Sequence, residues 1–481
     1  MEQYRKFYIG GDWTDPVSSQ TAQLIDPTTE TAFATVGMGT AADVDRAVAA
    51  AREAFAEFSI SPVAERIALF DRIQAAYAAR QSDLADVIAR EMGSPKSATV
   101  QTLGPIEHWK EAARVLREYP FERRIGNSII RREAIGVCAL ISPWNWPVQT
   151  PVTKIAYALA AGCTIVFKPS EYSPLSAIVL AEILDAAGVP KGVFNLVNGD
   201  GAQVGEALCR HPEVDMISFT GSTRAGILVA AAAAGTVKRV AQELGGKSAN
   251  VVLRDADLEA AARWNIARGF FNAGQSCHAP SRILVHRSQM DEISGHLARE
   301  AAKVRIGNPR APDTMMGPVV NRTQFERIQR YIQTGLDEGA RLVCGGPGRP
   351  EGVERGYFVR PTVFSEVTPT MTIAREEIFG PVLAVLPYDD DEEAVGIANG
   401  TPYGLGGYVF SSDREKGLAV SRRLRTGRIF FNGAAGTVAA PMGGYKQSGN
   451  GREMGVFGLE EYLEVKAMFG FEKEATTLPP F

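Results

Sequence analysis

The chain has 481 residues, with 51 Lys and Arg against 55 Asp and Glu (formal net charge -4), 45% hydrophobic and 22% charged residues. That length divides into two or three domains, and the slightly acidic balance argues against nucleic acid as a partner and gives no reason to expect a membrane surface. The five cysteines (Cys138, Cys163, Cys209, Cys277, Cys344) are widely spaced without a CxxC, which argues against a disulfide framework or a metal site and fits a reducing cytoplasm.

The N-terminus reads Met1-Glu2-Gln3-Tyr4-Arg5-Lys6, charged from the start, and no apolar h-region follows, against a secretory leader. The longest apolar stretch, 225–235, falls short of the roughly 18 residues of a membrane span. Residues 41–58 and 62–92 carry apolar residues at helical spacing and predict amphipathic helices, with Thr40 and Ser61 as N-caps. Segment 118–134, with Glu122-Arg123-Arg124, Gly126-Asn127 and Arg131-Arg132-Glu133, predicts a polar hairpin hard to bury in a monomer. From 136 the texture changes. Short apolar runs at 136–141, 164–167, 192–197, 216–219 and 239–244 predict strands, and helices are predicted at 151–161, 174–187, 202–210 and 224–234. Strand and helix in alternation imply a parallel sheet covered by helices, the dinucleotide-binding architecture. A second alternation follows residue 246, with strands at 250–253, 281–285, 340–344, 382–387, 406–411 and 427–432 and helices at 257–271 and 288–303. The tail from Phe471 to Phe481 reads as loosely ordered.

Six segments carry chemistry-bearing residues. In Gly274-Gln275-Ser276-Cys277-His278, Gly274 and Ser276 leave backbone room beside the sulfur, while Gln275 and His278 do not suit a core. A thiol with a pKa near ~8.5 needs help to ionise at neutral pH, and a helix starting near Cys277 would give it. Glu243 ends an apolar strand before Gly245-Gly246, either as an acceptor for loop amides or as a general base. Asn145 stands in Pro143-Trp144-Asn145-Trp146-Pro147, a stiff loop after a strand, where a carboxamide makes a good oxyanion donor; the bland alternative is a turn cap. Lys168-Pro169-Ser170-Glu171 follows a strand at the ligand-facing end and offers partners for ribose hydroxyls, or is a solvated loop. Thr220-Gly221-Ser222-Thr223 joins a strand to a helix and suits a pyrophosphate, although it is not GxGxxG. Glu377-Ile378-Phe379-Gly380-Pro381 puts a carboxylate and an aromatic in one tight stretch.

Together, PWNWP, KPSE, FTGST, ELGGK, GQSC, EEIFGP and PMGGYKQSGNGRE resemble the NAD(P)-dependent aldehyde dehydrogenase superfamily, in the family's order and near its spacings, from about residue 7 to 470. The resemblance implies an α/β fold of two α/β domains, one a Rossmann-type cofactor domain, plus a small oligomerisation arm. Residues 1–117 and 136–245 would form the cofactor domain, preceded by a polar helical region, 246–447 the catalytic domain, and 118–135 with 448–481 the arm. It implies Cys277 as the nucleophile on the aldehyde carbon, Asn145 and the Cys277 amide as oxyanion donors, hydride transfer to the nicotinamide, Glu243 as the base for thioester hydrolysis, and Glu453 as a second buried carboxylate relaying protons. Cofactor contacts would come from Ile141, Trp144, Lys168, Ser170, Glu171, Gly221, Ser222, Gln324, Glu377 and Phe379. Substrate-tunnel positions fall on Trp146, Gln149, Thr153, Ser276, His278 and Met442, with residues 434–440 as the lip. Glu464 would tie the last strand to Arg239 and Arg452. Homodimers or homotetramers are implied.

Within the resemblance, Glu171 would repel a 2′-phosphate, which favours NAD over NADP. The presence of Glu243 favours release of the free acid over transfer to CoA. The lip, Ala434-Ala435-Gly436-Thr437-Val438-Ala439-Ala440, is small and uncharged, with no arginine to fix a distal carboxylate. The expected substrate is therefore a medium aliphatic or aromatic aldehyde, with an oxo-acid semialdehyde as the alternative and a non-catalytic binding or structural role as the alternative of another class.

Overall fold

The computed structural model describes residues 1–471; the expected loose tail beyond Phe471 lies outside the described residues. Its centre is a seven-stranded sheet. Val137–Ile141 lies between Thr164–Lys168 and Met216–Thr220, which pairs in turn with Arg239–Glu243; Phe194–Leu196 extends the other side, all in parallel. Every residue of Val137–Ile141 and Thr164–Lys168 is buried, because helices cover both faces, and for that reason these strands read as unbroken apolar runs. Helix Gln149–Ala161 ends at Gly162, whose φ of +92° is open chiefly to glycine.

Residues before 40, for which the sequence announces no element, form strands. Phe7–Ile9 and Asp12–Thr14 add two antiparallel strands to the central sheet, and Thr21–Asp26, Thr31–Gly37 and Glu2–Tyr4 make a small sheet of their own. These strands are short and their apolar faces are narrow, so no periodicity announces them. The helices Ala41–Phe58 and Val63–Glu91 follow. At the first, the Thr40 amide donates to the Asp43 carboxylate at 3.0 Å. At the second, Ser61 is not the cap: Pro62 holds that position, and the Ser61 hydroxyl turns back to the Phe58 carbonyl at 2.7 Å. Helix Val100–Glu118, which the sequence did not announce, packs on helices Val63–Glu91 and Gln149–Ala161. A short helical segment, Gly201–Gly205, opens after Asp200, whose carboxylate accepts from the Gln203 amide at 2.7 Å.

The second seven-stranded sheet has Ala249–Val252 and Arg282–His286 at its middle, flanked by Val382–Tyr388 and Gly406–Phe410, with Arg428–Phe431 at one edge. Glu122–Ile125 and Ser128–Ala134 form the expected hairpin, and Leu463–Phe469 pairs antiparallel with it, placing Glu464 opposite Glu133. This three-stranded ribbon is largely exposed. Its outward residues include Ile125, Val465 and Phe469. Arg239 holds Glu464 at 2.9 Å, as expected. Arg452 does not join them: its amide donates to Glu461 and its guanidinium to the Gly444 and Gly451 carbonyls. Among the described residues, no helix is long and apolar enough to cross a membrane.

Candidate active site

Cys277 sits in a turn between a bent helical segment and the strand Arg282–His286. Asn272, Ala273 and Gly274 have φ of 54°, 54° and 72°, three left-handed residues in succession. A Cβ at Gly274 would overlap the Gly380 carbonyl, so only glycine fits there. Gln275 is buried and satisfied, contrary to the expectation that it does not suit a core. Its amide donates to the Asn272 carbonyl at 3.0 Å and its oxygen accepts from the Val320 amide at 2.9 Å. Nor does a helix begin at Cys277. Burial, then the negative charges of Glu377 and Glu243, push its thiol up to about 12. At rest Cys277 is therefore a neutral thiol, and forming its thiolate needs a base. His278 Nδ1 lies 3.9 Å from Sγ, but burial, Arg268 and Arg428 pull that imidazole down to about 3, so it is a weak base.

Asn145 meets the same turn. Its side-chain nitrogen donates to the Gln275 carbonyl at 2.9 Å, which leaves its second N–H free. Its backbone carbonyl accepts from Asn272 Nδ2 at 2.9 Å and Gln101 Nε2 at 3.3 Å. Asn272 and Gln101 thus stitch the two loops together. Neither carries a motif signal, since each acts through a carbonyl distant in sequence.

Glu243 comes from the end of Arg239–Glu243. Both its carboxylate oxygens are buried without a hydrogen-bond partner. Burial first and the Glu453 charge second hold its carboxyl well above the ordinary range, which makes it a stronger base than an ordinary carboxylate. A Cβ at Gly246 would overlap the Cys277 carbonyl, showing how closely this loop lies on the cysteine turn. A cavity behind Glu243 is shared by Glu453, Lys154, Ser218, Glu461 and Tyr462. Lys154 Nζ bonds Glu453 at 2.6 Å and Ser218 Oγ at 3.0 Å. Thr153, expected in the tunnel, turns its hydroxyl to Glu453 Oε2 at 3.1 Å and so belongs to this cavity. Met442 and Glu453 exchange two backbone hydrogen bonds of 2.8 Å, which fixes the glycine-rich loop beside it.

The C-terminal ends of the central strands carry Ile141, Lys168 and, just beyond Thr220, Gly221 and Ser222. Lys168 Nζ is buried, bonded to the Pro169 carbonyl at 2.8 Å and 3.8 Å from Glu171. The Ser170 hydroxyl accepts from the Tyr172 amide, and Ser222 caps Thr223–Ala233 by accepting from the Ala225 amide at 3.3 Å. The Gly221 amide donates to the Glu243 carbonyl at 3.1 Å, joining this loop to the strand that carries Glu243. Glu377 accepts from the Gly246 amide at 3.0 Å. Phe379, at φ +60°, meets Trp144 edge-on with ring centroids 5.4 Å apart. Gln324, on helix Arg322–Asp337, has a buried carbonyl oxygen with no partner. A lysine at the strand ends, the part-buried carboxylate of Glu377 and this orphaned amide fit the hydroxyls of a dinucleotide.

On the substrate side Trp146 stacks on Phe271, centroids 5.8 Å apart at 20°. Gln149 Oε1 and Ser276 Oγ are buried and unpaired. The expected uncharged lip needs correction. The guanidinium of Arg428, outside the lip in sequence, reaches Gly436, where Nη2 stands 2.8 Å from the place a Cβ would take.

The family profile described as "Aldehyde dehydrogenase family" matches residues 13–468. A 3-succinoylsemialdehyde-pyridine dehydrogenase of Pseudomonas sp is 51% identical over 98% of this chain and 100% of its own length. A putative aldehyde dehydrogenase of Staphylococcus aureus is 46% identical over 98% of this chain and 100% of its own length. Among solved structures, an aldehyde dehydrogenase C mutant of Pseudomonas syringae with NAD+ and octanal superposes with a TM-score of 0.97 at 50% identity, covering 98% of each chain. A Mycobacterium tuberculosis aldehyde dehydrogenase with NAD+ gives 0.94 at 42% identity, covering 97% of this chain and 98% of that one. The fold, the thiol and carboxylate of the crevice and these likenesses agree: the chain belongs to the aldehyde dehydrogenase family, NAD(P)-dependent enzymes that oxidise an aldehyde to a carboxylic acid.

Proposed function

We propose that this protein oxidises a semialdehyde, an aldehyde bearing a second oxo or carboxylate oxygen on the same carbon chain, to the free acid with NAD. The observation that carries the substrate class is the likeness, over essentially full length, to a dehydrogenase named for a succinoyl semialdehyde. It favours this reading over the medium aliphatic or aromatic aldehyde first expected, although the Pseudomonas syringae relative is described with octanal. NAD is supported by relatives solved with it and by Glu171 beside Lys168, a carboxylate that repels a 2′-phosphate.

The chemistry follows from the residues. Glu243 takes the Cys277 thiol proton, directly or through water, and the thiolate attacks the aldehyde carbon. The oxygen that becomes anionic receives the free N–H of Asn145 and the backbone N–H of Cys277, donors worth ~10²–10³ in turnover each. Bound NAD supplies the hydride acceptor, which leaves a thioester on Cys277. Glu243, having passed the thiol proton into the cavity behind it, then draws a proton from the water that attacks the thioester, and the acid departs as the leaving thiolate takes that proton back. The cavity behind Glu243 carries the released proton toward Glu453 and Lys154. The exposed three-stranded ribbon joins subunits through its apolar edge, giving a homo-oligomer.

Initial rates of NADH formation with hexanal, benzaldehyde, succinic semialdehyde and 4-oxopentanal test the substrate class. The last two should show the higher kcat/KM, by about tenfold, the discrimination that one or two well-placed polar contacts give. Hexanal or benzaldehyde preferred by that margin would overturn the reading.

A further inference from the structure

Arg428 opens the edge strand Arg428–Phe431, whose side chains alternate between two faces. Ile429 and Phe431 pack against the core of the second sheet. Arg428 and Phe430 point the other way. The Phe430 ring stacks on Tyr408, centroids 5.3 Å apart at 18°, and the Tyr408 hydroxyl donates to the carbonyl of His278, the neighbour of Cys277, at 2.5 Å. Arg428 lies over the Phe430 ring, 5.2 Å from its centroid, and reaches the lip at Gly436. The face holding Arg428 is therefore the face that, through Phe430 and Tyr408, touches the backbone beside Cys277.

Two imidazoles on different walls feel this cation. His278 lies beside Cys277. His108 lies on helix Val100–Glu118, which also brings Gly104 against Gln149. Burial is the larger cause of the lowering of both, and the positive charge of Arg428 adds to it. Glu243 and Tyr408 are the groups that favour its charge, and neither bonds it. Among the described residues Arg428 makes no ion pair and no side-chain hydrogen bond, and it is only part-exposed. Arg268, the other cation near His278, stands exposed on its helix, where water screens it. A part-buried guanidinium with no acceptor of its own favours any oxygen delivered to it, and its planar fork suits a carbonyl or carboxylate.

We propose that Arg428 determines specificity by donating to the second oxygen of the substrate, the oxo or carboxylate group distant from the aldehyde carbon. This rests on the semialdehyde reading above. It assigns to Arg428 the recognition that the lip residues, all uncharged, lack.

The test uses full-length Arg428→Met and Arg428→Lys enzymes with NAD, measuring kcat and KM for hexanal, 4-oxopentanal and succinic semialdehyde. In Arg428→Met, kcat/KM for the two oxygen-bearing substrates should fall about 10- to 100-fold, mainly through KM, as for loss of a hydrogen bond to a charged group. Hexanal turnover, which also reports folding, should stay within about threefold. Arg428→Lys should recover succinic semialdehyde more than 4-oxopentanal, because a point charge serves a carboxylate better than a ketone. Added salt should weaken only the carboxylate arm. Equal losses on all three substrates would make Arg428 structural and overturn the proposal, as would unchanged preference in Arg428→Met. The wild-type panel separates the two readings. If the wild type prefers the oxygen-bearing substrates and Arg428→Met still does, Arg428 alone is ruled out. If the wild type is indifferent to the distal oxygen, the semialdehyde reading fails and takes the proposal with it.

Discussion

Cys277, the proposed nucleophile, rests as a protonated thiol. Its pKa of about 12 is set by burial and by Glu377 and Glu243, all of which disfavour the thiolate. The protonated form dominates below that value, so raising the pH increases the thiolate fraction. Alkylation of the cofactor-free enzyme by iodoacetamide should therefore climb steadily from about pH 7 to about pH 10; a plateau below about pH 8 would show a thiolate already present. Glu243 presents the complementary case, a carboxylate raised by burial and by Glu453, with no bond to spend before it takes a proton. In Glu243→Gln both the deprotonation of Cys277 and the hydrolysis of the thioester lose their base. Rapid-mixing traces should show NADH formed without a burst, at a steady rate reduced by about 10²-fold or more. A steady rate near that of the wild type would remove Glu243 from the hydrolytic step.

The turn that presents the sulfur depends on left-handed backbone at Asn272, Ala273 and Gly274. Two of these are not glycine, so the strain is held by the contacts of Gln275 with Asn272 and Val320 and by the bonds from Asn272 and Gln101 to the Asn145 loop. Gly274→Ala would add the penalty of a positive φ to an overlap with the Gly380 carbonyl. We expect a loss of about 1–3 kcal/mol in stability and a larger loss of activity, because Cys277 and Phe379 lie on the two segments pushed apart. Thermal unfolding and NADH formation measure both; a variant with wild-type rate and melting temperature would show that the turn tolerates the shift.

At the scale of the molecule, two sheets meet at a crevice, and the ribbon of Glu122–Ile125, Ser128–Ala134 and Leu463–Phe469 stands out with apolar residues on its exposed edge. Phe469 is 68% exposed. An unpaired strand edge with such residues favours a second chain. Phe469→Asp should shift the protein toward monomers in light scattering after size-exclusion chromatography, while the crevice, which lies elsewhere, keeps its ability to bind NAD. An unchanged mass would exclude Phe469 from the subunit contact.

Much of the fold was legible because buried parallel strands such as Val137–Ile141 are continuous apolar runs, and because a hairpin rich in Glu and Arg has nowhere to hide in a monomer. The Phe7–Ile9 strand and the helix Val100–Glu118 were not, since their stability comes from partners remote in the chain. In the site, Cys277, Glu243 and Asn145 stood out through the glycines, prolines and aromatics around them. What local residues do to their own backbone can be read in sequence. Gln101, Asn272, Lys154 and Arg428 could not be found that way. Each acts on a group far along the chain, through a hydrogen bond, an ion pair or a field that exists only once the two sheets are packed. Thus sequence alone determined the fold class and marked the candidate groups, and the tertiary structure decided the raised pKa values of Cys277 and Glu243, the bracing of Asn145 and the cation at the lip, because burial and distance, which set these properties, are not local.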